Sequence, residues 1–207
     1  MNGKTENFAK NTEEQNIANA KGEIARSTRT GSDPQVRQYA TILLGKLKEL
    51  DGVEPLLLAI RDPDKNVREQ AAKSLGEIGD PSVDPLIILL EDPDWKVRYR
   101  AAEALGITGS EKAVPSLIIT LEDPKDHVRY MAAKALGETG ARGSEKALIA
   151  RLGDENEFVR SSVASTLGKT GGSSAKEALQ HSLTCEPSEK TREAMETALH
   201  LLEKNAL

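Results

Sequence analysis

Cysteine is nearly absent from this sequence, and aromatic side chains are few. A single cysteine, Cys185, in 207 residues excludes an intramolecular disulfide framework and any zinc site that needs several thiolates. The six aromatics are Phe8, Tyr39, Trp95, Tyr99, Tyr130 and Phe158, so the core must be built mainly from aliphatic helix contacts. Long apolar runs are lacking as well. The longest, Leu86-Ile87-Ile88-Leu89-Leu90, falls far short of the ~20 residues a spanning helix needs, and no membrane partner is expected. From Met1 to Asn16 the chain is polar and has no apolar stretch of the secretory-signal kind, so a cytoplasmic location is the expectation. Positive charge is not in excess: 28 Lys plus Arg stand against 33 Asp plus Glu, a formal charge of −5. The two signs are interspersed, which disfavours nucleic acid, whose binding rests on clustered cations.

What is present is repetition. Asp62-Pro63, Val67-Arg68, Ala71, Leu75-Gly76 and Gly79 define a frame. It returns at Asp92-Pro93, Val97-Arg98, Ala101, Leu105-Gly106 and Gly109, and again at Asp123-Pro124, Val128-Arg129, Ala132, Leu136-Gly137 and Gly140. A fourth copy runs through Asp154, Val159-Arg160, Val163, Leu167-Gly168 and Gly171. An earlier, shortened copy has Asp33-Pro34, Val36-Arg37, Ala40 and Leu44-Gly45, and a last degenerate one has Glu186-Pro187, Arg192, Met195 and Leu199. The arginines at 37, 68, 98, 129, 160 and 192 are therefore separated by 31, 30, 31, 31 and 32 residues, a period that signals a repeat array.

Each unit reads as two helices. Val67, Ala71, Leu75 and Ile78 make one apolar stripe of the first, with Asp62 expected as N-cap, Pro63 in the first turn and Gly79 as a left-handed C-cap. Val83, Leu86, Ile87 and Leu90 make the stripe of the second. A pair this short cannot bury both stripes alone, so neighbours must stack. The expectation is an all-α fold with about five helical hairpins and terminal caps. Its expected organisation is a disordered tail over 1–11, a cap helix over 12–31 with Thr12 and Gln15 as a capping box, and a repeat solenoid over 32–207 that ends in a capping helix from Glu189.

The Asp-Pro-x-x-x-Val-Arg-x-x-Ala-x-x-x-Leu-Gly-x-x-Gly frame resembles the HEAT-repeat family, in particular the short HEAT-like class shared with bilin-lyase-type proteins. The resemblance covers roughly residues 32–203. It implies a right-handed α-α superhelix with the second helices lining a concave face. Fold alone does not carry function.

The ladder residues Asp62, Arg68, Asp92, Arg98, Asp123, Arg129, Asp154 and Arg160 read as ties between repeats through charge-assisted bonds, rather than as a phosphate-binding track that would also include Arg37. Gly168-Lys169-Thr170 imitates the end of a phosphate-binding loop, but that loop needs glycine where Val163 stands, and a preceding strand. His127, His181 and His200 are scattered, without the helical spacing of a metal pair. None stands in the His-Glu dyad of iron-dependent hydroxylases built on HEAT-like repeats. No catalytic set, metal site or cofactor is expected, and Cys185 reads as an inert thiol.

Two groups stand outside the frame. The fourth residue before each opening aspartate is Leu58, Ile88 and Ile119, then Ala150. The first three are expected to form an exposed aliphatic row rimmed by Glu54, Asp84, Glu91 and Glu122. Such a row reads as a groove for a peptide or partner protein of basic character, or as the seam of a homodimer. Trp95, Tyr99 and Tyr130 form the second group, either as binding hot spots or as packing on the seams between repeats. The function that follows is a non-enzymatic scaffold. Two alternatives come from the resemblance: a bilin-lyase-like protein that handles a tetrapyrrole, and a DNA-binding HEAT-like protein, which the acidic balance disfavours.

Overall fold

The computed structural model describes residues 2–48, 50–140 and 142–205. Twelve α-helices and no strands occur among them, and the chain divides into two units, Met1–Ile78 and Gly79–Leu207.

The first unit holds α1 (Asn2–Thr30), α2 (Pro34–Leu47), α3 (Val53–Ala59) and α4 (Lys65–Ile78). Helix α1 includes residues 2–11, where the sequence suggested a tail; no proline interrupts it. Position 12 is therefore interior to a helix and cannot open one. The Gln15 amide instead donates to Asn19 one turn on, at 3.4 Å. Helix α2 opens as the frame predicts: the Asp33 carboxylate accepts the Gln35 amide and Pro34 fills the first turn. It ends at Lys48, whose φ of 52° is the only positive value outside glycine among the described residues. Leu44, Leu56, Ile60, Val67, Ala71 and Leu75 form the core of this unit.

The second unit alternates long and short helices: α5 (Asp80–Leu89), α6 (Trp95–Thr108), α7 (Val114–Thr120), α8 (Asp126–Thr139), α9 (Glu145–Ala150), α10 (Glu157–Thr170), α11 (Ser173–Leu183) and α12 (Glu189–Asn205). The long helices α6, α8, α10 and α12 pack in sequence, each against the next. Leu105, Leu136, Leu167 and Met195 are fully buried between them and the short helices, which contribute Leu86, Leu117, Leu148 and Leu179. On α5 the buried stripe is Val83, Leu86 and Leu89, with Leu90 buried just past its end; Ile87 is only half-buried.

The frame glycine inside each long helix is explained by close approach. A Cβ on Gly106 would lie 2.9 Å from Ala135 Cα, and one on Gly168 would lie 2.7 Å from Ala198 Cα. Side-chain hydroxyls use the same proximity: Thr166 Oγ1 donates to the Ala133 carbonyl at 2.9 Å. Gly168 is thus a packing residue and not part of a phosphate loop.

Three expectations about helix ends need correction: Asp62 as N-cap, Pro63 in the first turn, which it precedes because α4 begins at Lys65, and Gly79 as a left-handed cap. The opening aspartates of the full-length copies are not N-caps. Helices α4, α6, α8 and α10 begin three residues after them, and the caps of α6 and α10 are Asp94 and Asn156. Gly79 has φ 83° and ψ −137°, a conformation that suits glycine but lies outside the left-handed helical region. Gly171 is extended, at φ −81° and ψ 168°. Gly109 and Gly140 are left-handed caps as expected.

Candidate binding surfaces

The repeated aspartate is displaced from the cap position because it serves the ladder. In the first unit, Arg37 Nε and Nη2 donate to the Asp62 carboxylate at 2.7 and 2.9 Å, and its Nη1 donates to the Gly31 carbonyl at 2.7 Å. In the second, Arg98 grips Asp123 at 2.6 and 2.8 Å, and Arg129 grips Asp154 at 2.8 and 2.9 Å. Arg160 grips Glu186 at 2.7 Å through both nitrogens, so the longer glutamate of the degenerate copy does the same work. One oxygen of each acid also accepts the amide two residues on, as Asp154 does from Asn156 at 2.9 Å. Each Nη1 returns to its own turn, as in Arg68 to the Asp62 and Pro63 carbonyls at 2.7 and 2.8 Å and Arg98 to the Asp92 carbonyl at 2.8 Å.

These bidentate, charge-assisted bonds join successive turns within each unit. The four guanidiniums of Arg37, Arg98, Arg129 and Arg160 are mostly shielded from solvent, and their donors are committed to the fold, which leaves no phosphate track. Burial pushes the Asp62 and Asp154 carboxyls up, but the guanidinium and the turn amide outweigh it and hold both below the ordinary carboxylate value. The Arg160 hydrogen bonds hold Glu186 down in the same sense.

The aliphatic positions stand outside the core. Leu58 in the first unit is 42% exposed, and in the second Ile88 and Ile119 are 72% and 74% exposed. Ala150, the next in the series, is exposed too. The expected acidic rim is changed by its neighbours. Asp84 pairs with Lys112 at 2.6 Å and Glu122 with Arg151 at 3.1 Å. These pairs connect α5 to the turn before α7, and the end of α7 to the turn after α9. Glu54 and Glu91 are exposed.

The aromatic group is larger than the sequence suggested. Tyr99, Tyr130, Phe158, His127, Asp126 and Asn156 line a pocket of about 220 Å³ in the second unit. Trp95 adjoins it through His127, with ring centroids 5.3 Å apart and tilted 57°. Trp95, His127 and Phe158 occupy the first or second position of α6, α8 and α10, and Tyr99 and Tyr130 each follow a ladder arginine. Cations of the chain lie over three of the rings: Arg100 over Tyr99, Lys125 over Trp95 and Lys190 over Phe158, at 5.2–5.5 Å. Both Asp126 oxygens are engaged: one accepts the His127 amide and meets its Nδ1 at 2.8 Å, and the other accepts the Asn156 amide at 2.7 Å. The His127 hydrogen bond is the main reason that Asp126 titrates far below the ordinary range. Phe158 was not singled out from sequence, and His127 was weighed there only as a metal ligand. They sit at the same frame position, four residues after the opening aspartate, and that equivalence was the signal available.

A further feature was missed in the first unit. Val36, Tyr39, Leu43 and Leu47 are 40–66% exposed along α2, at helical spacing. Beside them Ile17, Ala25, Leu44 and Leu47 help line a hollow of about 490 Å³. Among the described residues, no three of His, Cys, Asp and Glu stand close enough to hold a metal ion. No helix there is long and apolar enough to cross a membrane. Cys185 is exposed.

A family model of HEAT repeats matches residues 24–88, 82–127 and 115–200. No curated protein matches the chain. Among solved structures, the complex of CpcE and CpcF of phycocyanin lyase from Nostoc sp. PCC7120 is similar with a TM-score of 0.67 at 16% identity, over 72% of this chain and 99% of that one. Human deoxyhypusine hydroxylase in complex with glycerol gives a TM-score of 0.53 at 25% identity, over 90% and 75%. Computationally designed armadillo repeat proteins for modular peptide recognition give 0.55 at 17%, over 87% and 98%. At such identities the first and third of these speak to the repeat-solenoid fold alone.

Proposed function

Given that the chain belongs to the HEAT-repeat family, we propose that it is a non-enzymatic binding module that holds a segment of another protein against the second helices of residues 79–207. The single observation that carries this reading is the pair Ile88 and Ile119. Two aliphatic side chains at the same repeat position are each about three-quarters exposed, in a fold that buries the frame leucines Leu75, Leu105, Leu136 and Leu167 completely. Exposed apolar residues that recur in register favour contact with a partner. Each aliphatic anchor buried there contributes ~1.5–3 kcal/mol before association costs. The designed armadillo proteins, whose fold is similar, are made for modular peptide recognition, which is consistent with this use of the architecture. A basic preference is weaker than the sequence implied, because Asp84 and Glu122 already meet Lys112 and Arg151; exposed Glu91 is the carboxylate left beside Ile88.

The test is to replace both isoleucines with lysine and to compare affinity capture from source lysate. The double variant is expected to keep its helical circular dichroism and melting temperature and to lose the wild-type partner. An unchanged set of captured proteins overturns the reading. Sedimentation of both forms separates self-association from binding to another chain.

A further inference from the structure

The rings at the helix starts of the second unit are in register with one another. Helix α6 packs on α8 and α8 on α10, at the ~8–10 Å typical of neighbouring helices. Each brings at least one ring to the same edge: Trp95 and Tyr99, then His127 and Tyr130, then Phe158. A polyproline II segment rises ~3.1 Å per residue with three residues per turn, so it presents a side chain to one side every ~9 Å. That step is close to the typical spacing of packed neighbouring helices.

Charge narrows the occupant further. Arg100, Lys125 and Lys190 already lie over three of the rings, so ring faces that would take a partner's basic side chain are occupied. Arg100 is paired with Glu103, and Lys125 stands 3.3 Å from Asp126. A phosphate would therefore find largely neutralised cations and a committed carboxylate. Apart from the committed Asp126, what the pocket offers is the ring surface of Tyr99, Tyr130 and Phe158, and its 220 Å³ is below the ~300–1,000 Å³ of small-molecule sites. It is sized for individual side chains.

We infer that the Tyr99, Tyr130 and Phe158 pocket, extended by Trp95 and His127, binds a proline-rich segment in the polyproline II conformation. Aromatic-lined grooves recognise that rigid backbone at low entropic cost. The inference rests on the reading that the chain binds polypeptide, but it uses residues distinct from Ile88 and Ile119.

Anisotropy of fluorescently labelled decaproline, titrated with the full chain, tests it. Trp95 is the only tryptophan, so its emission reports from the site itself. Saturable binding with Kd below about 1 mM is expected, with a shift in Trp95 emission. Y130A and F158A should each weaken binding about tenfold, and I88K/I119K should leave it unchanged. Phe158 is 51% exposed, so F158A keeps the test decisive if Y130A fails to fold. Absence of saturation by about 1 mM, equal binding by both alanine variants, or tighter binding of a Lys-Arg peptide or of oligo(dT) would each overturn the inference. Loss of partner capture in I88K/I119K with decaproline binding intact supports both readings. Intact capture in that variant overturns only the reading of the isoleucine face.

Discussion

The chain places pairs of opposite charge in two settings. Arg129 and Asp154 sit beneath a turn, with 8% and 3% of their side-chain surfaces exposed. Lys112 and Asp84 meet on the second-helix face, with 62% and 66% exposed. The first pair is bidentate and ringed by backbone partners; the second is one ammonium on a flexible stem. The difference teaches that the repeat's charges divide by position. Those in the frame hold the array together, and those outside it only tune the surface. A buried carboxylate that loses its guanidinium keeps the cost of burial, whereas an exposed one returns to water.

The sharpest way to break this contrast is Arg129→Ala. It strands the Asp154 carboxylate and should destabilise the second unit by about 3–5 kcal/mol, read from urea unfolding. A loss under about 1 kcal/mol, the range of exposed pairs, would erase the distinction. Next in size is Gly168→Ala. Its new methyl would press on the Ala198 backbone, and overpacking of this kind costs ~1–3 kcal/mol. Gly143→Ala, with nothing within 4 Å of the added carbon, should stay within about 0.5 kcal/mol. Equal effects at the two glycines would deny that the helices are held at close approach.

Acid should act on stability through the ladder carboxylates. The folded values of Asp62, Asp154 and Glu186 lie below their ordinary ones. Their stabilisation is therefore complete above the unfolded values, near pH ~4, and is lost as pH falls through the lowered folded values. Urea midpoints measured from neutral pH down to about 3 should drop at the acid end for the wild type. They should drop less steeply for Asp154→Asn, which begins from a lower stability. The smallest effect belongs to Lys112→Ala, within about 0.5 kcal/mol and reduced further by salt.

Much of this was legible from periodicity. The thirty-residue step located Val67, Leu75, Leu105, Leu136 and Leu167 in the core, because a stripe at helical spacing has nowhere else to go. The same frame marked Leu58, Ile88 and Ile119 as positions outside it, and all three are exposed. The Arg–Asp ties were legible because each arginine always travels with an acid. Cap chemistry was misread. An aspartate before a proline satisfies the local rule for a helix start, yet a guanidinium from the preceding repeat competes for it and wins with two charge-assisted bonds. The pairing of Asp84 with Lys112 and of Glu122 with Arg151 could not be seen, since it joins residues 28 and 29 positions apart whose meeting depends on how successive hairpins stack.

By itself, then, the sequence determined that helices form in pairs and which stripes go inside, since periodic spacing acts within a few residues of chain. Tertiary structure alone decided that Asp84 meets Lys112 and Glu122 meets Arg151, and that Phe158 and His127 join Tyr99 and Tyr130 in one pocket. Those outcomes depend on distances between separate helices, and no local pattern encodes them.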